Sequence, residues 1–393
     1  MRERLYDIIN EDKKIGRGTS MIARRALRFF ILTASIGTGH SQAARAIAES
    51  IKELHPEDSV RVLDFVSRDS LSVDQIIKKT YLEMIKVIPD MYDRLYSNSQ
   101  KGGFGKTSQK LLSMSFKLRM KRLIQVLQPD ALIFTHPFPA GAADLLKKNG
   151  EIRIPLLGVI TDFDVHQLWI NRHMDAYCVP TPQMARDLAS YGISPERIYA
   201  TGIPVRKSFY EERIKNPIPE KGTVLVMGGG LGLGRITEDL KLMDDVEEIS
   251  KFIVVTGQNI HLYEDVALLS EKMKHPVELH SYTNKVAQLM GRAELLVTKP
   301  GALTCTEAII MKRPMALVNT LPGQERANAV FLNKLGCAEW VKRGELADTV
   351  REILSNPDKK KKMEEACEGF HPESAKETVR ILYKMVEQNN LLT

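Results

Sequence analysis

One stretch constrains this chain more than any other: Thr298-Lys-Pro-Gly301-Ala-Leu-Thr304-Cys-Thr306-Glu307, continued through a short apolar run to Leu321-Pro322-Gly323-Gln324-Glu325-Arg-Ala-Asn328. Ala293 to Thr298 reads as a buried strand and Ala302 to Met311 as a helix, so Gly301 falls in a strand-to-helix turn. Such a turn offers free backbone N–H groups and the positive end of a helix dipole, a setting that suits a phosphate. Glu307 follows about one turn in, where a carboxylate can accept both hydroxyls of a ribose. The second glycine turn, at Pro322-Gly323, presents Gln324, Glu325 and Asn328 as a polar cluster. Diphosphate, ribose and a group with many hydroxyls together describe a nucleotide sugar.

At 393 residues the chain suits two or three domains. Residues 1–23 read as a mobile lead-in of mixed charge. Phe29 to Ser35 is a strand, Gly37-Thr-Gly39-His40 a turn, and Gln42 to Leu54 a helix with apolar positions at Ala43, Ala46, Ile47, Ile51 and Leu54. Val60 to Phe65 is the next strand, which completes a β-α-β unit of an open parallel sheet. Strands at Ala131–Thr135, Pro155–Ile160 and Ala176–Pro180 extend it, ending in polar turns at His136-Pro137 and Thr161-Asp162-Phe-Asp164-Val-His166. A first domain over 24–205 and a Pro-rich linker over 206–222 follow from this pattern. Residues 223–393 repeat the grammar as a second α/β domain, with a last helix free to cross back. Two such domains face each other across a cleft lined by loops at the carboxyl ends of their strands.

The formal charge of +7 is concentrated in one segment. Between Ile76 and Val126 eleven basic residues stand against three acidic ones, a local +8 that leaves the remainder near −1. There Lys78, Lys79, Lys86, Arg94, Lys101, Lys106, Lys110, Lys117, Arg119, Lys121 and Arg122 interleave with apolar residues at helical spacing. One apolar and one basic face suits the headgroup layer of an anionic membrane, against the plainer reading of a surface helix on a sheet. No apolar run reaches spanning length. Arg24 to Ser35 imitates a signal peptide but runs into the Gly37 turn without a cleavage site, and reads as a core strand. Cys178, Cys305, Cys337 and Cys367 form no C-x-x-C pair, which argues against a zinc site or a disulfide framework and fits a reducing cytosol.

Three glycine loops compete. Gly37-Thr-Gly39 with Asp64 imitates a dinucleotide fingerprint, but the third glycine position is Gln42. Gln100 to Thr107 imitates a P-loop without its first glycine or a preceding strand. Gly228 to Gly234 does follow a strand and precede a helix. Gly228 and Gly229 are therefore expected beside phosphate or acceptor, against the reading of a tight turn only.

These residues resemble the glycosyltransferases that make monogalactosyl- or glucosyl-diacylglycerol, relatives of the peptidoglycan N-acetylglucosaminyltransferase that acts on lipid I. The resemblance runs from about Phe29 to Glu387. It rests on Gly37-Thr-Gly39-His40, Thr161 to Trp169, Thr201-Gly-Ile-Pro204, Lys299 to Glu307 and Pro322 to Asn328. It implies a GT-B fold of two Rossmann-like domains, with the donor held by the second domain and inversion at the anomeric carbon without a catalytic metal. UDP-glucose or UDP-galactose is then a substrate, no cofactor is required, and diacylglycerol is the acceptor.

Carried over by motif, Gly301, Ala302, Leu303 and Thr304 hold the diphosphate, Glu307 binds the ribose, and Lys299 belongs to the same donor site. Gln324 and Glu325 meet the sugar hydroxyls, Asn328 belongs to the same donor cluster, and Tyr282 stands at the uracil. His40 matches the family's cleft histidine and is the candidate base, since an imidazole of ordinary pKa about 6.5 accepts a proton at neutral pH. Its plainer role is a hydrogen-bonded helix-start residue. Asp162 and His166 line the acceptor side or orient the base, against a structural turn. Many relatives carry an acidic residue or glycine where this chain has Thr38, which leaves His40 without a carboxylate partner at that position. Lys117, Arg119, Lys121 and Arg122 are the expected membrane contacts, for an enzyme held peripherally on the inner face of the cell membrane. The alternatives are a polyprenyl-linked acceptor, a UDP-sugar epimerase of related fold, and a nucleic-acid binder suggested by a pI near 9.0. The last lacks a recognised module and aromatic residues on its basic stretch, so no nucleic-acid partner is expected.

Overall fold

A computed structural model describes residues 25–34, 38–65, 104–320, 323–342, 344–371 and 373–392. The lead-in 1–23, Gly37, Lys78, Lys79, Lys86, Arg94, the run from Gln100 to Gly103 with Lys101, and Pro322 lie outside the described residues. Of Lys106 and Lys110 only the helical backbone is described.

The described strands form two six-stranded parallel sheets. The first holds β1 (Arg28–Thr33), β2 (Ser59–Asp64), β3 (Ala131–Phe134), β4 (Leu156–Val159), β5 (Ala176–Val179) and β6 (Ile198–Ala200), in the order β2-β1-β3-β4-β5-β6. The second holds β7 (Thr223–Met227), β8 (Lys251–Val255), β9 (Val277–His280), β10 (Leu295–Thr298), β11 (Met315–Leu317) and β12 (Ala338–Trp340), in the order β12-β11-β10-β7-β8-β9. β3, β4, β5, β7 and β10 are buried at every residue, as expected of strands covered by helices on both faces. The strand order reverses between β1 and β3 in one sheet and between β7 and β10 in the other. At such switch points the loops leave in opposite directions and open a crevice.

The helix Gly39–Leu54 buries Ala43, Ala46, Ile47 and Ile51 against the first sheet, whereas Leu54, read as a core position, is 40% exposed at the helix end. The segment read as linker contains the helix Lys207–Lys215. Its Phe209 is fully buried in the core of the second domain, beside Leu296 and Ile309. The last helix, Ser374–Leu392, packs on the first domain, where Val379, Leu382 and Val386 join Phe29, Ile31, Ile47 and Val159 in one core. Tyr383 fixes it there: the ring stacks on His55 at 3.8 Å and the hydroxyl donates to Asp58. The two domains touch through Phe163, which leaves the end of β4, enters the core of the second domain and stacks on Phe331 at 4.7 Å.

Candidate active site

At the second switch point Thr298 Oγ1 donates to the Met227 carbonyl at 2.8 Å, so the glycine loop after β7 and the Lys299–Gly301 turn after β10 emerge side by side. The glycine loop closes on itself, with Leu233 N–H donating to the Gly228 carbonyl at 3.1 Å. Gly230 approaches the first domain so closely that a Cβ would lie 2.6 Å from the Thr38 methyl. Gly301 is the opposite case. A Cβ there would meet nothing within 4 Å, and its φ is −72°, so neither packing nor backbone demands glycine. Bare backbone facing open space at a helix N-terminus is the arrangement that lets a phosphate approach.

An open cleft enclosing about 590 Å³ lies between these loops. Gly229, Tyr282, Leu303, Thr304 and Glu307 line it, as do Thr38, Gln42 and Arg206. Glu307 is 7% exposed; burial pushes its carboxyl up to about 8, and the Arg206 charge opposes that rise. Arg206 Nε is buried without a hydrogen-bond partner, and the guanidinium stands 5.5 Å over the Phe209 ring. Nothing in the sequence separated Arg206 from other cations, because its partner Glu307 is a hundred residues away.

The remaining donor candidates sit around this cleft. Gly228 supports the loop from beneath, and Ala302 is buried in the first helical turn. Lys299 is ion-paired with Glu325. Asn328 differs from its expected role: it is 1% exposed, its Oδ1 accepts from Phe163 N–H and its Nδ2 donates to the Pro300 carbonyl, both at 3.1 Å. Its amide therefore spans the two loops, facing neither cavity. Behind Gln324, Asn319 adopts a left-handed φ of 52° and donates to Asp239 at 2.6 Å, which ties the loop after β11 to the helix Ile236–Met243.

A smaller pocket of about 290 Å³ lies at the first switch point, lined by His40, Asp162, Asp164, His166, Trp169 and, from the second domain, Gln324. His40 Nδ1 is 2.6 Å from Thr161 Oγ1. Burial raises the Asp162 carboxyl above the ordinary range, while His40 and a hydrogen bond from Gln324 pull it back. Asp164 is likewise raised by burial. His166 is held down to about 4 by burial, and its Nδ1 accepts from Leu168 N–H at 3.2 Å, so it caps the turn Gln167–Trp169 while lining the pocket. His136, which the sequence marked only as a turn, packs edge-on against His40 at 4.9 Å. Its Nδ1 accepts from Phe138 N–H, its Nε2 has no partner, and burial together with His40 holds it well below 6.5 and neutral.

The basic residues are less free than their count suggests. Lys117 and Lys121 both pair with Glu151, at 2.5 and 2.7 Å, and hold that carboxyl down to about 2. The Arg119 guanidinium lies 5.2 Å over the Phe65 ring. Arg122 is exposed, flanked at helical spacing by Leu118 and Val126, which are 69% and 73% exposed. No helix among the described residues is long and apolar enough to cross a membrane. Among the described residues one grouping has metal-ligand spacing, His55, Glu57 and Asp58, in the turn before the amino end of β2. Asp58 there already accepts from Leu27 N–H and from Tyr383.

Comparison with known proteins finds a family for each half of the chain. Residues 40–205 match the monogalactosyldiacylglycerol (MGDG) synthase family, and residues 223–379 match the glycosyltransferase family 28 C-terminal domain. A processive diacylglycerol beta-glucosyltransferase of Bacillus mycoides is 31% identical over 88% of this chain and 91% of its own length. Among solved structures, MurG of Acinetobacter baumannii superposes with a TM-score of 0.59 at 17% identity, over 91% of this chain and 99% of that one. A UDP-GlcNAc 2-epimerase from Neisseria meningitidis, bound to UDP-GlcNAc, superposes with a TM-score of 0.56 at 12% identity, over 91% and 100%. At those identities the likeness shows the fold alone, which is GT-B. The chain belongs to the diacylglycerol glycosyltransferase family, pairing an MGDG-synthase first half with a family 28 second half.

Proposed function

We propose that this enzyme transfers a hexose from a UDP-sugar to the free hydroxyl of diacylglycerol, with inversion at the anomeric carbon. The observation that carries the reading is one shared pocket: His40 and Asp162 of the first domain and Gln324 of the second line it together, beside the cleft lined by Leu303, Thr304 and Glu307. In the proposed complex uracil lies at Tyr282, the ribose hydroxyls donate to Glu307, and the diphosphate meets the amides from Gly301 to Thr304 and those of Gly229 and Gly230. Gln324 and Glu325 hold the sugar hydroxyls.

His40 takes the proton of the acceptor hydroxyl as its oxygen attacks the anomeric carbon, opposite the departing UDP. A positioned base of this kind contributes about 10²–10⁴ in rate. The charge that develops on UDP falls on the Ala302 helix N-terminus, the glycine-loop amides and the cations Arg206 and Lys299. Fixed donors of this kind are already oriented when the bond breaks. The reading needs no cofactor from outside the chain.

Asp162, next to His40, favours the imidazolium that forms. His166 shapes the acceptor side. The Phe104–Leu127 helix supports peripheral binding at the inner face of the cell membrane, with Arg122 toward anionic headgroups and Leu118 and Val126 at the acyl boundary.

The test is to incubate the enzyme with radiolabelled UDP-glucose or UDP-galactose and vesicles that contain diacylglycerol. Labelled glycolipid from one donor is the expected product and identifies the sugar. Epimerised nucleotide sugar with no glycolipid, or label on a polyprenyl carrier alone, overturns the reading. Unchanged turnover in chelator is expected.

A further inference from the structure

The base assigned above has two ring nitrogens, and only one can face the acceptor while the other meets Thr161. His40 Nδ1 stands 2.6 Å from Thr161 Oγ1, a residue at the end of β4 that is 3% exposed. A hydroxyl can donate or accept, so the contact permits two tautomers. If Thr161 donates, Nε2 carries the proton and His40 cannot act as a base on the acceptor side. If Nδ1–H donates to Thr161, Nε2 is left with its lone pair.

We propose that Thr161 is a positioning residue that accepts the Nδ1–H of His40, fixes the Nε2-basic tautomer, and serves where a carboxylate orients the base in other enzymes. The inference rests on the reading of His40 as base. The surroundings favour it. His40 sits in the first turn of the Gly39–Leu54 helix, and Thr38, the residue before that helix, lines the nucleotide cleft and offers no carboxylate. Thr161 is held in place because the chain is anchored just before and just after it: Ile160 N–H donates to the Cys178 carbonyl at 2.9 Å, and Phe163 N–H, two residues on, donates to Asn328.

The titratable groups facing His40 are few. His136, from the end of β3, is neutral and uses its own Nδ1 on Phe138. Asp162, Asp164 and His166, from the turn after β4, line the same pocket, and Gln324 closes it from the second domain. Asp162 supplies charge, and Thr161 supplies orientation. As the acceptor proton reaches Nε2, the Nδ1–H bond becomes charge-assisted and strengthens, so it favours the transition state over the resting enzyme.

The experiment compares Thr161→Val, Thr161→Ser and His40→Ala with the parent enzyme in labelled-glycolipid assays across pH, with UDP affinity as the fold control. Thr161→Val is expected to lower kcat about tenfold or more, to leave KM for the UDP-sugar and UDP affinity near the parent values, and to move the acidic limb of kcat to lower pH. Thr161→Ser restores most of kcat and the limb. Independently of activity, the ring-nitrogen NMR shifts of His40 in the parent enzyme report the Nδ1–H tautomer. A Thr161→Val enzyme with the parent's kcat and pH profile, or an Nε2–H tautomer in the parent, overturns the proposal. Full activity in His40→Ala instead overturns the base assignment and leaves the tautomer measurement as its own result.

Discussion

Asn328 and Phe163 are 165 residues apart, yet the side-chain carbonyl of the first accepts the backbone N–H of the second at 3.1 Å, in a fully buried setting. The same amide donates to Pro300, so one side chain fixes the distance between the loop after β4 and the turn after β10, the proposed acceptor and donor sides. Relative placement of two substrates is worth several kcal/mol in a bimolecular transfer, and small displacements are costly.

Asn328→Ala removes both bonds and leaves a buried N–H and a buried carbonyl unpaired, a cost of about 2–6 kcal/mol at about 1–3 kcal/mol for each group. The expected outcome is a clear fall in melting temperature and a kcat lowered by more than tenfold. UDP affinity, measured by calorimetry, changes least, because Asn328 lines neither cavity.

Gly301→Ala separates binding from folding. The added methyl meets no protein atom within 4 Å and the backbone angle suits any residue, so thermal stability should hold or rise slightly. The same methyl occupies the approach to the Ala302 helix N-terminus. UDP and UDP-sugar affinity should fall about tenfold, and equal loss of stability and affinity would count against a phosphate at this turn.

Glu307 gives a pH prediction with a definite sign. Its carboxyl is raised to about 8 in the folded protein by burial, whereas an exposed glutamate titrates near 4.5. Between those values the unfolded chain has released a proton that the folded chain keeps, so this group's contribution to stability declines as pH rises from about 4.5 to 8. Glu307→Gln should therefore raise the melting temperature more at pH 8 than at pH 5. In the proposed complex the ribose hydroxyls donate to the ionised carboxylate, so UDP binding at pH 7 should release a proton. Calorimetry in buffers of different ionisation enthalpy reads that release, and the Gln variant should lack it while binding UDP more weakly.

The membrane face can be tested by unequal substitutions. Arg122→Glu, or Leu118→Ser with Val126→Ser, should weaken sedimentation with phosphatidylglycerol vesicles severalfold. Lys117→Gln with Lys121→Gln should do so less, since both lysines are already engaged by Glu151. UDP affinity should be unchanged in all three variants. Equal loss from both sets would return the contact to net charge alone.

The strand, turn and helix around Gly301 were legible because they are local. Gly301, Leu303, Thr304 and Glu307 lie within seven residues, and a strand-turn-helix fixes where such residues point. The family resemblance also held, as did the two-domain α/β fold. What escaped the sequence is contact between distant segments. Arg206 faces Glu307, Thr161 meets His40 across 121 residues, and His136 lies against the same imidazole. Asn328 belongs with Gln324 and Glu325 by sequence, but it lies one helical turn farther along, where its amide meets the buried Phe163 N–H instead of the pocket. The basic helix misled in a similar way: counting charges between Ile76 and Val126 could not reveal Glu151, which comes from beyond the next strand.

The last helix has a consequence for how the chain is made. Ser374–Leu392 covers the face of the first sheet that carries Phe29, Ile31 and Val159, yet it is encoded after the whole second domain. At about 5–20 residues per second, synthesis of residues 206–373 takes about 10–30 s. For that interval the nascent first domain shows the ribosome's surroundings an open apolar sheet, and its folding ends only when Tyr383 reaches Asp58. The second domain is, in the order of synthesis, a parenthesis inside the first.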